Sequence, residues 1–175
     1  LCSEETGGAF DLTVGPLVEA WHLRQGGRVP SERAIETALA RVDWHAIEWM
    51  NDPNRYRKTK DVVVEEGGFG KGAALDAALA VAEGAHEAGE IGFVRLDFGG
   101  QLAWANTVQP LVVDLADPRD RSRPVLELSL RPGRGSLSTS SNSESRGTAG
   151  VGHLLDPRNG KPARDFGSAT SLELE

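Results

Sequence analysis

The segment from residue 62 to residue 76 constrains this chain most, because it joins three elements of known geometry. Three valines, residues 62–64, lead into a glycine-rich stretch, residues 67–72, and then into the alanine-rich stretch 73–88. β-Branched residues favour strands and alanine favours helices. A strand that breaks at glycines just before a helix exposes backbone N–H groups at the positive end of the helix, which suits phosphate or pyrophosphate. The alternative is a glycine-rich turn that binds nothing.

Two known phosphate-binding motifs can be compared with this turn. A P-loop needs a Ser or Thr directly after its lysine to bind magnesium, but Gly72 follows Lys71 here. The spacing of Gly68, Gly70 and Ala73 fits the dinucleotide-binding pattern G-x-G-x-x-A, which belongs to a parallel sheet. The P-loop is therefore excluded, and a nicotinamide-type dinucleotide domain stays as an alternative that an antiparallel hairpin would exclude.

The remaining sequence predicts an α+β fold with antiparallel sheets and packed helices. We predict three helices, at residues 14–23, from Ser31 onwards, and at 71–88. Strands are predicted at 44–50, 62–64, 110–115 and 125–130, with a hairpin formed by 92–98 and 101–105. Residues 52–54 and 156–160 have the composition of turns. The hydroxyl-rich stretch 136–145 has the composition of a flexible linker.

Bulk composition narrows the classes of partner. The chain has 175 residues and a net charge of −7, and no basic stripe offsets this acidic balance, which argues against a nucleic-acid partner. No run approaches the ~18 apolar residues of a membrane span. Cys2 is the only cysteine, so an internal disulfide cannot form. The chain begins without Met and ends in Leu-Glu-Leu-Glu, and we expect both ends to be cut, with residues 172–175 a cloning remnant.

Two short segments carry candidate functional side chains. Phe10 and Asp11 could hold a ligand ring and a ribose, or Asp11 could satisfy backbone donors at a helix entry. His153 precedes Asp156 and Arg158, and a histidine beside a carboxylate can act as an acid or base near neutral pH. The alternative for His153 is a strand-edge histidine before an ordinary Asp-Pro turn.

Five blocks, in order, resemble the FAD:protein FMN transferases of the ApbE family. Residues 4–18 resemble its "GAFDPTVGPLV" block, and residues 67–76 resemble its "DLGGIAKGYAVD" block. The other three blocks are similar to its "NLGGDI" hairpin, its "VATSG" strand and its "HIIDPRTGKP" segment, and lie at residues 96–101, 137–141 and 153–162. The resemblance implies a single, partial ApbE-like (T-fold-like) domain over residues 1–171.

The resemblance also implies an activity. Members of the family bind FAD with Mg²⁺ and transfer FMN to a Thr or Ser hydroxyl of a target protein, releasing AMP, and some mainly hydrolyse FAD. The implied partners are FAD and a flavin-acceptor protein, with a homodimer possible, in the bacterial periplasm or cell envelope. An FAD-binding module or an FAD pyrophosphatase without transferase activity is the alternative.

The family motifs assign roles to residues of this chain. Ala9, Phe10 and Asp11 correspond to contacts with the flavin nucleotide, and Glu65 and Lys71 to further contacts with the dinucleotide. His153, Leu154 and Leu155 correspond to the flavin side of the site, with His153 assisting transfer. The backbone carbonyl of Gly68 corresponds to a metal ligand.

The chain departs from the family motifs at several positions. Glu65 and Glu66 stand where the family has Asp-Leu, which places a charge where an apolar residue is expected. Ser141 replaces a glycine, Ser143 an aromatic residue and Asn159 a threonine. The family completes its metal site with an Asp and, four residues on, a Thr or Ser, but Asp165 is followed at that spacing by Ala169. We therefore expect the remaining metal ligands to be absent from this chain.

Overall fold

A computed structural model describes residues 2–52, 55–141, 152–163 and 167–174. Its helices, in chain order, are α1 Cys2–Glu5, α2 Gly15–Ala20, α3 Glu32–Leu39 and α4 Gly70–Glu87, with 3₁₀ turns at Leu23–Gln25, Trp44–Ala46 and Glu66–Gly68. Its strands are β1 Ile47–Trp49, β2 Tyr56–Lys58, β3 Val94–Asp97, β4 Gln101–Thr107, β5 Leu111–Ala116, β6 Pro124–Leu130, β7 Gly133–Ser141, β8 Leu155–Asp156, β9 Lys161–Pro162 and β10 Ser168–Leu174.

The chain divides into two units. Unit 1 comprises Leu1–Gly68 and Glu144–Asp165, and unit 2 comprises Phe69–Ser143 and Phe166–Glu175. In unit 1, α2 packs against α3 through a core of Leu17, Trp21, Ile35 and Ala38. As predicted, Ser31 caps α3, and its hydroxyl accepts a hydrogen bond from the Ala34 amide at 3.3 Å.

The turn between β8 and β9 is attached to this core. The indole Nε1 of Trp21 donates a buried hydrogen bond of 2.7 Å to the carbonyl oxygen of Gly160. Gly160 has a φ of +69°, a region that glycine enters without the steric cost of a side chain. The helices of unit 1 therefore fix the predicted turn at residues 156–160.

The strand predicted at residues 62–64 is wrong. Only an isolated parallel bridge pairs Val63 with Val14, and the Gly15 amide donates to the Val63 carbonyl at 3.2 Å. The neighbouring segment turns into α2 at Gly15, so the ladder has no extended partner and ends after one pair. The strand predicted at 44–50 is shorter than expected, because residues 44–46 form a 3₁₀ turn capped by Asp43.

Unit 2 is built on a four-stranded sheet in the order β10-β7-β4-β3, in which every pair is antiparallel. Helix α4, close to its predicted bounds, contributes Leu75 and Leu79 to a core shared with Val94, Ala103 and Ala105. The predicted hairpin of β3 and β4 is confirmed, and it rules out the parallel sheet of a nicotinamide-type domain. The strands predicted at 110–115 and 125–130 are confirmed as the β5–β6 hairpin.

The flexible linker predicted from composition at residues 136–145 is wrong for residues 136–141, and the strand that the family resemblance implies at residues 137–141 is present. Residues 142–145 lie outside the described residues. Residues 136–141 belong to β7, which pairs with β4 on one side and β10 on the other. Leu137 is buried in the core below the sheet, and the hydroxyls of Thr139 and Thr170 lie 2.9 Å apart. Backbone pairing on both edges thus outweighs a weak strand composition. Residues 172–174 continue β10.

No helix in the described part of the chain is long and apolar enough to cross a membrane. The predicted turn at 52–54 falls partly on residues 53 and 54, which lie outside the described ranges.

Candidate functional site

A cavity of about 380 Å³ lies in unit 1 and collects residues that are far apart in the sequence. Its walls come from residues 9–14, from α2 and the turn that follows this helix, from residues 65–68, and from residues 153–157. Of the nine residues that the family motifs assign to the site, the following line it: Ala9, Phe10, Asp11, Glu65, Gly68, His153, Leu154 and Leu155. Three of the five sequence blocks therefore meet at one cavity.

One wall of the cavity is an aromatic ring seated against a glycine. Gly7 and Gly8 have φ values of +56° and +78°, and the Thr6 hydroxyl accepts a hydrogen bond from the Phe10 amide at 3.0 Å. A Cβ added to Gly68 would lie 2.9 Å from Cε2 of Phe10. The ring can occupy this place because residue 68 has no side chain, and together with Leu154, Leu155 and Pro157 it gives the cavity an apolar wall.

Asp11 is buried and satisfies donors of its own chain. Its Oδ1 accepts hydrogen bonds of 2.7 Å from both the amide and the hydroxyl of Thr13. Its Oδ2 accepts from the Trp44 amide at 3.2 Å. Thr13, which is fully buried, in turn accepts from the Asp43 amide at 2.8 Å. The structural role considered for Asp11 is thus present, and its contact with a nucleotide stays a prediction.

We expect Asp11→Asn to lower the free energy of unfolding by about 1–2 kcal/mol, because the amide that replaces one carboxylate oxygen cannot accept the bonds that oxygen received. The measurement is the midpoint of chemical denaturation. Asp76→Asn is the matched control, since Asp76 is exposed on α4. Equal midpoints for the two variants would contradict the structural role.

Arg24 is the site residue that sequence reasoning missed. Its Nη2 lies 3.0 and 2.9 Å from the two carboxylate oxygens of Glu65, and 3.2 and 3.4 Å from those of Glu66. Hydrogen bonding to Glu65, the charge of Glu65 and then the charge of Glu66 raise the pKa of Arg24. The available signal was the charge of Glu66 at a position expected to be apolar, since a carboxylate there favours a nearby cation.

The turn behind His153 is held by its own charges. The Asp156 carboxylate accepts hydrogen bonds of 2.9 Å from Nε and Nη2 of Arg158, and one of 3.1 Å from the Asn159 side chain. The bonds from Arg158 lower the pKa of Asp156. Asp156 therefore stays ionised down to a lower pH than an ordinary aspartate, and the turn keeps its shape beside the half-buried His153.

Lys71 is the one assigned residue that does not line the cavity, and it belongs to unit 2. It lies in the first turn of α4, and its Nζ donates to the Gly99 carbonyl at 3.3 Å. Gly99 is in the turn of the β3–β4 hairpin. The lysine and the "NLGGDI"-like block therefore meet within unit 2, while contact between Lys71 and a dinucleotide stays a prediction.

Within residues 2–52, 55–141, 152–163 and 167–174, no group of three or more His, Cys, Asp or Glu could hold a metal ion. Gly68 faces the cavity, and coordination of a metal by its carbonyl stays a prediction. Asp165 and Ser143, two of the positions where the chain departs from the family motifs, lie outside these ranges.

Comparison with known proteins now decides the family. The family model described as "ApbE family" matches residues 1–173. The chain belongs to the ApbE family. The ApbE protein of Thermotoga maritima MSB8 superposes on this chain with a TM-score of 0.82 at 31% sequence identity. The superposition covers 97% of this chain and 56% of that protein. The predicted family resemblance and the predicted α+β fold are therefore both confirmed. The apo flavinyl transferase ApbE of Pseudomonas stutzeri has the same fold, with a TM-score of 0.76 at 22% identity over 97% of this chain and 53% of that chain.

Two curated relatives carry the name FAD:protein FMN transferase. The protein of Klebsiella pneumoniae (strain 342) is 30% identical in an alignment 172 positions long, which covers 90% of this chain and 47% of that protein. The protein of Rhodobacter capsulatus is 31% identical in an alignment 173 positions long, which covers 94% of this chain and 32% of that protein. This ApbE-family chain therefore spans less than half the length of both relatives.

Proposed function

We propose that this chain carries out, or forms part of an enzyme that carries out, the transfer of FMN from FAD to a Thr or Ser hydroxyl of an acceptor protein, with release of AMP. The observation that carries this proposal is the cavity of unit 1, where three sequence blocks meet. Its volume lies within the usual range for small-molecule sites, and so does its makeup of an apolar wall with few polar groups.

The lining residues suit a flavin end and a reacting hydroxyl. Phe10 offers a flat apolar face for an aromatic ring, and Leu154 and Leu155 exclude water from the ring's far side. His153, as general base, would take the proton of the acceptor hydroxyl. The hydroxyl oxygen then forms a bond to the phosphorus of the FMN moiety, the pyrophosphate bond breaks, and AMP leaves with the bridging oxygen.

We also propose that the transfer depends on Mg²⁺. The described residues, however, do not form a complete magnesium site. Mg²⁺ prefers six oxygen ligands and neutralises charge on a transferring phosphoryl group. Unit 1 offers the Gly68 carbonyl and the carboxylates of Glu65 and Glu66, but Arg24 already binds both carboxylates. These donors alone do not fit a magnesium site.

The incomplete magnesium site among the described residues favours a second candidate function. A chain that keeps the flavin cavity without a complete metal site would bind FAD and transfer nothing. An FAD pyrophosphatase lies between these two cases, since it breaks the pyrophosphate bond with water as the acceptor.

One experiment separates the three functions. The chain is incubated with FAD, MgCl₂ and a purified flavin-acceptor domain, with an EDTA-treated sample as control. We expect covalent flavin fluorescence on the acceptor and one AMP for each flavin attached, both lost with EDTA. AMP and FMN without labelling would indicate the pyrophosphatase, and FAD binding without AMP the binding module. The absence of flavin binding would contradict all three.

The role of His153 has its own test in the same assay. We expect His153→Ala to slow labelling at saturating FAD by about 10²–10⁴-fold, the usual contribution of a general base. Two histidines that do not line the cavity provide controls, the exposed His45→Ala in unit 1 and the half-buried His86→Ala in unit 2. Unchanged labelling by the His153 variant would contradict its role as the base.

A further inference from the structure

Arg24 and Glu65 separate two neighbouring cavities of unit 1. Besides the cavity described above, a second one of about 460 Å³ is lined by residues of α2, of the turn that follows it, and of the segment 63–66. Val18, Arg24 and Glu65 line both cavities. Among the described lining residues, Arg24 is the only Arg or Lys in either one. A single cation therefore stands where a ligand passing from one cavity to the other would lie.

The local charges make this cation important for an anionic ligand. Glu65 and Glu66 carry two negative charges and Arg24 one positive charge, so without Arg24 two carboxylates would face any phosphate. The Glu65 side chain is 14% exposed, whereas that of Arg24 is 64% exposed. The less exposed carboxylate is thus held in place by an arginine that still reaches solvent and both cavities.

Two of the three guanidinium nitrogens of Arg24 can still donate hydrogen bonds to a ligand. All four of its hydrogen bonds use Nη2, and its Nε and Nη1 donate to none of the residues that the structure describes. A guanidinium keeps its charge and presents five N–H donors in fixed directions. Nε and Nη1 can therefore each donate a single hydrogen bond to a phosphate oxygen while Nη2 keeps its bonds to the carboxylates.

We propose that Arg24 is the phosphate-recognition residue of this site, binding a phosphate of the nucleotide whose flavin occupies the Phe10–His153 cavity and positioning Glu65 beside it. This inference rests on the proposed function. It assigns selectivity to one residue: flavins with a phosphate bind through Arg24, and riboflavin, which has none, does not use it.

The test compares four ligands on one set of variants. Binding of FAD, FMN, riboflavin and ADP to the full chain is measured by flavin fluorescence or calorimetry at low and high salt. We expect Arg24→Ala to weaken FAD, FMN and ADP by about tenfold at low salt, less at high salt, and to leave riboflavin unchanged. Arg24→Lys should recover part of the loss, because it restores the charge without the fixed donor directions.

Two further variants serve as controls. Arg28→Ala removes the same charge from an exposed position that lines neither cavity, and should change nothing. Glu66→Leu should tighten FAD binding several-fold at low salt, because it removes a negative charge and frees part of Arg24.

The outcomes separate this inference from the proposed function. An equal loss for riboflavin and FAD in Arg24→Ala, or no loss for either, would overturn the phosphate role. ADP binding that depends on Arg24 in a protein that binds no flavin would support the phosphate site and contradict the flavin transferase. Failure of the wild-type chain to bind any of the four ligands would overturn both.

Discussion

Gly160→Ala is expected to destabilise unit 1 by about 3 kcal/mol, the sum of a left-handed backbone penalty and an overpacking penalty. Its φ is +69°, and an added Cβ would lie 2.7 Å from Cγ2 of Ile35, 3.0 Å from Cδ2 of Leu17 and 3.2 Å from Cγ of Leu39. The core cannot yield cheaply there, because Leu17 is fully buried between α2 and α3. Moving the turn instead would stretch the hydrogen bond from Trp21 to the Gly160 carbonyl.

The control for this prediction isolates the clash from the backbone strain. Gly7 also has a positive φ, of +56°, but an added Cβ there would meet nothing within 4 Å. Gly7→Ala should therefore cost only about 1 kcal/mol, the strain alone. The measurements are denaturation midpoints and amide hydrogen exchange in α3, which reports on unit 1. Similar losses for both variants would contradict the clash with the core.

Features that depend on local sequence were predictable. Ser31 followed by Glu32 specifies the start of α3, because a hydroxyl and an acidic first turn satisfy the free N–H groups of a helix. Gly99 and Gly100 specify the β3–β4 turn, where both have positive φ. Each of these signals acts within a few residues, so its meaning does not depend on the rest of the fold.

Features that depend on a distant partner were not predictable. Residues 62–64 have the composition of a strand, but the segment beside them becomes helical at Gly15 and leaves one bridge. Residues 136–141 have the composition of a linker, but two strands pair with them. In both cases the neighbour across the chain decides the structure, and a single sequence does not name that neighbour.

In the candidate site, too, local sequence predicted some residues, and residues that depend on a distant partner were missed. No single motif identified it, since the glycine turn, Asp11 and His153 each had an ordinary structural alternative. The order of the family blocks identified it, and eight of the nine assigned residues line one cavity. Arg24 was beyond that reasoning, because it corresponds to no motif and its importance comes from Glu65 and Glu66, some 40 positions away.

Gly68→Val is expected to weaken binding of FAD about 100-fold while changing the free energy of unfolding by less than about 1 kcal/mol. Even a Cβ at residue 68 would lie 2.9 Å from Cε2 of Phe10, and the branched side chain requires more space still. The aromatic ring is the mobile partner, since it lines an open cavity, so it should turn into that cavity and occupy the place proposed for the flavin. The measurement is the dissociation constant for FAD by flavin fluorescence.

Gly84→Val is the control for this substitution, since Gly84 lies in α4 and does not line the cavity. An added Cβ at Gly84 would meet nothing within 4 Å, so binding should change little. Riboflavin adds the decisive comparison. Gly68→Val should weaken riboflavin as much as FAD, because it removes space for the ring, whereas Arg24→Ala should spare riboflavin. If Gly68→Val left riboflavin binding intact, the flavin ring would have to lie elsewhere, and the Phe10–His153 cavity would lose its proposed role.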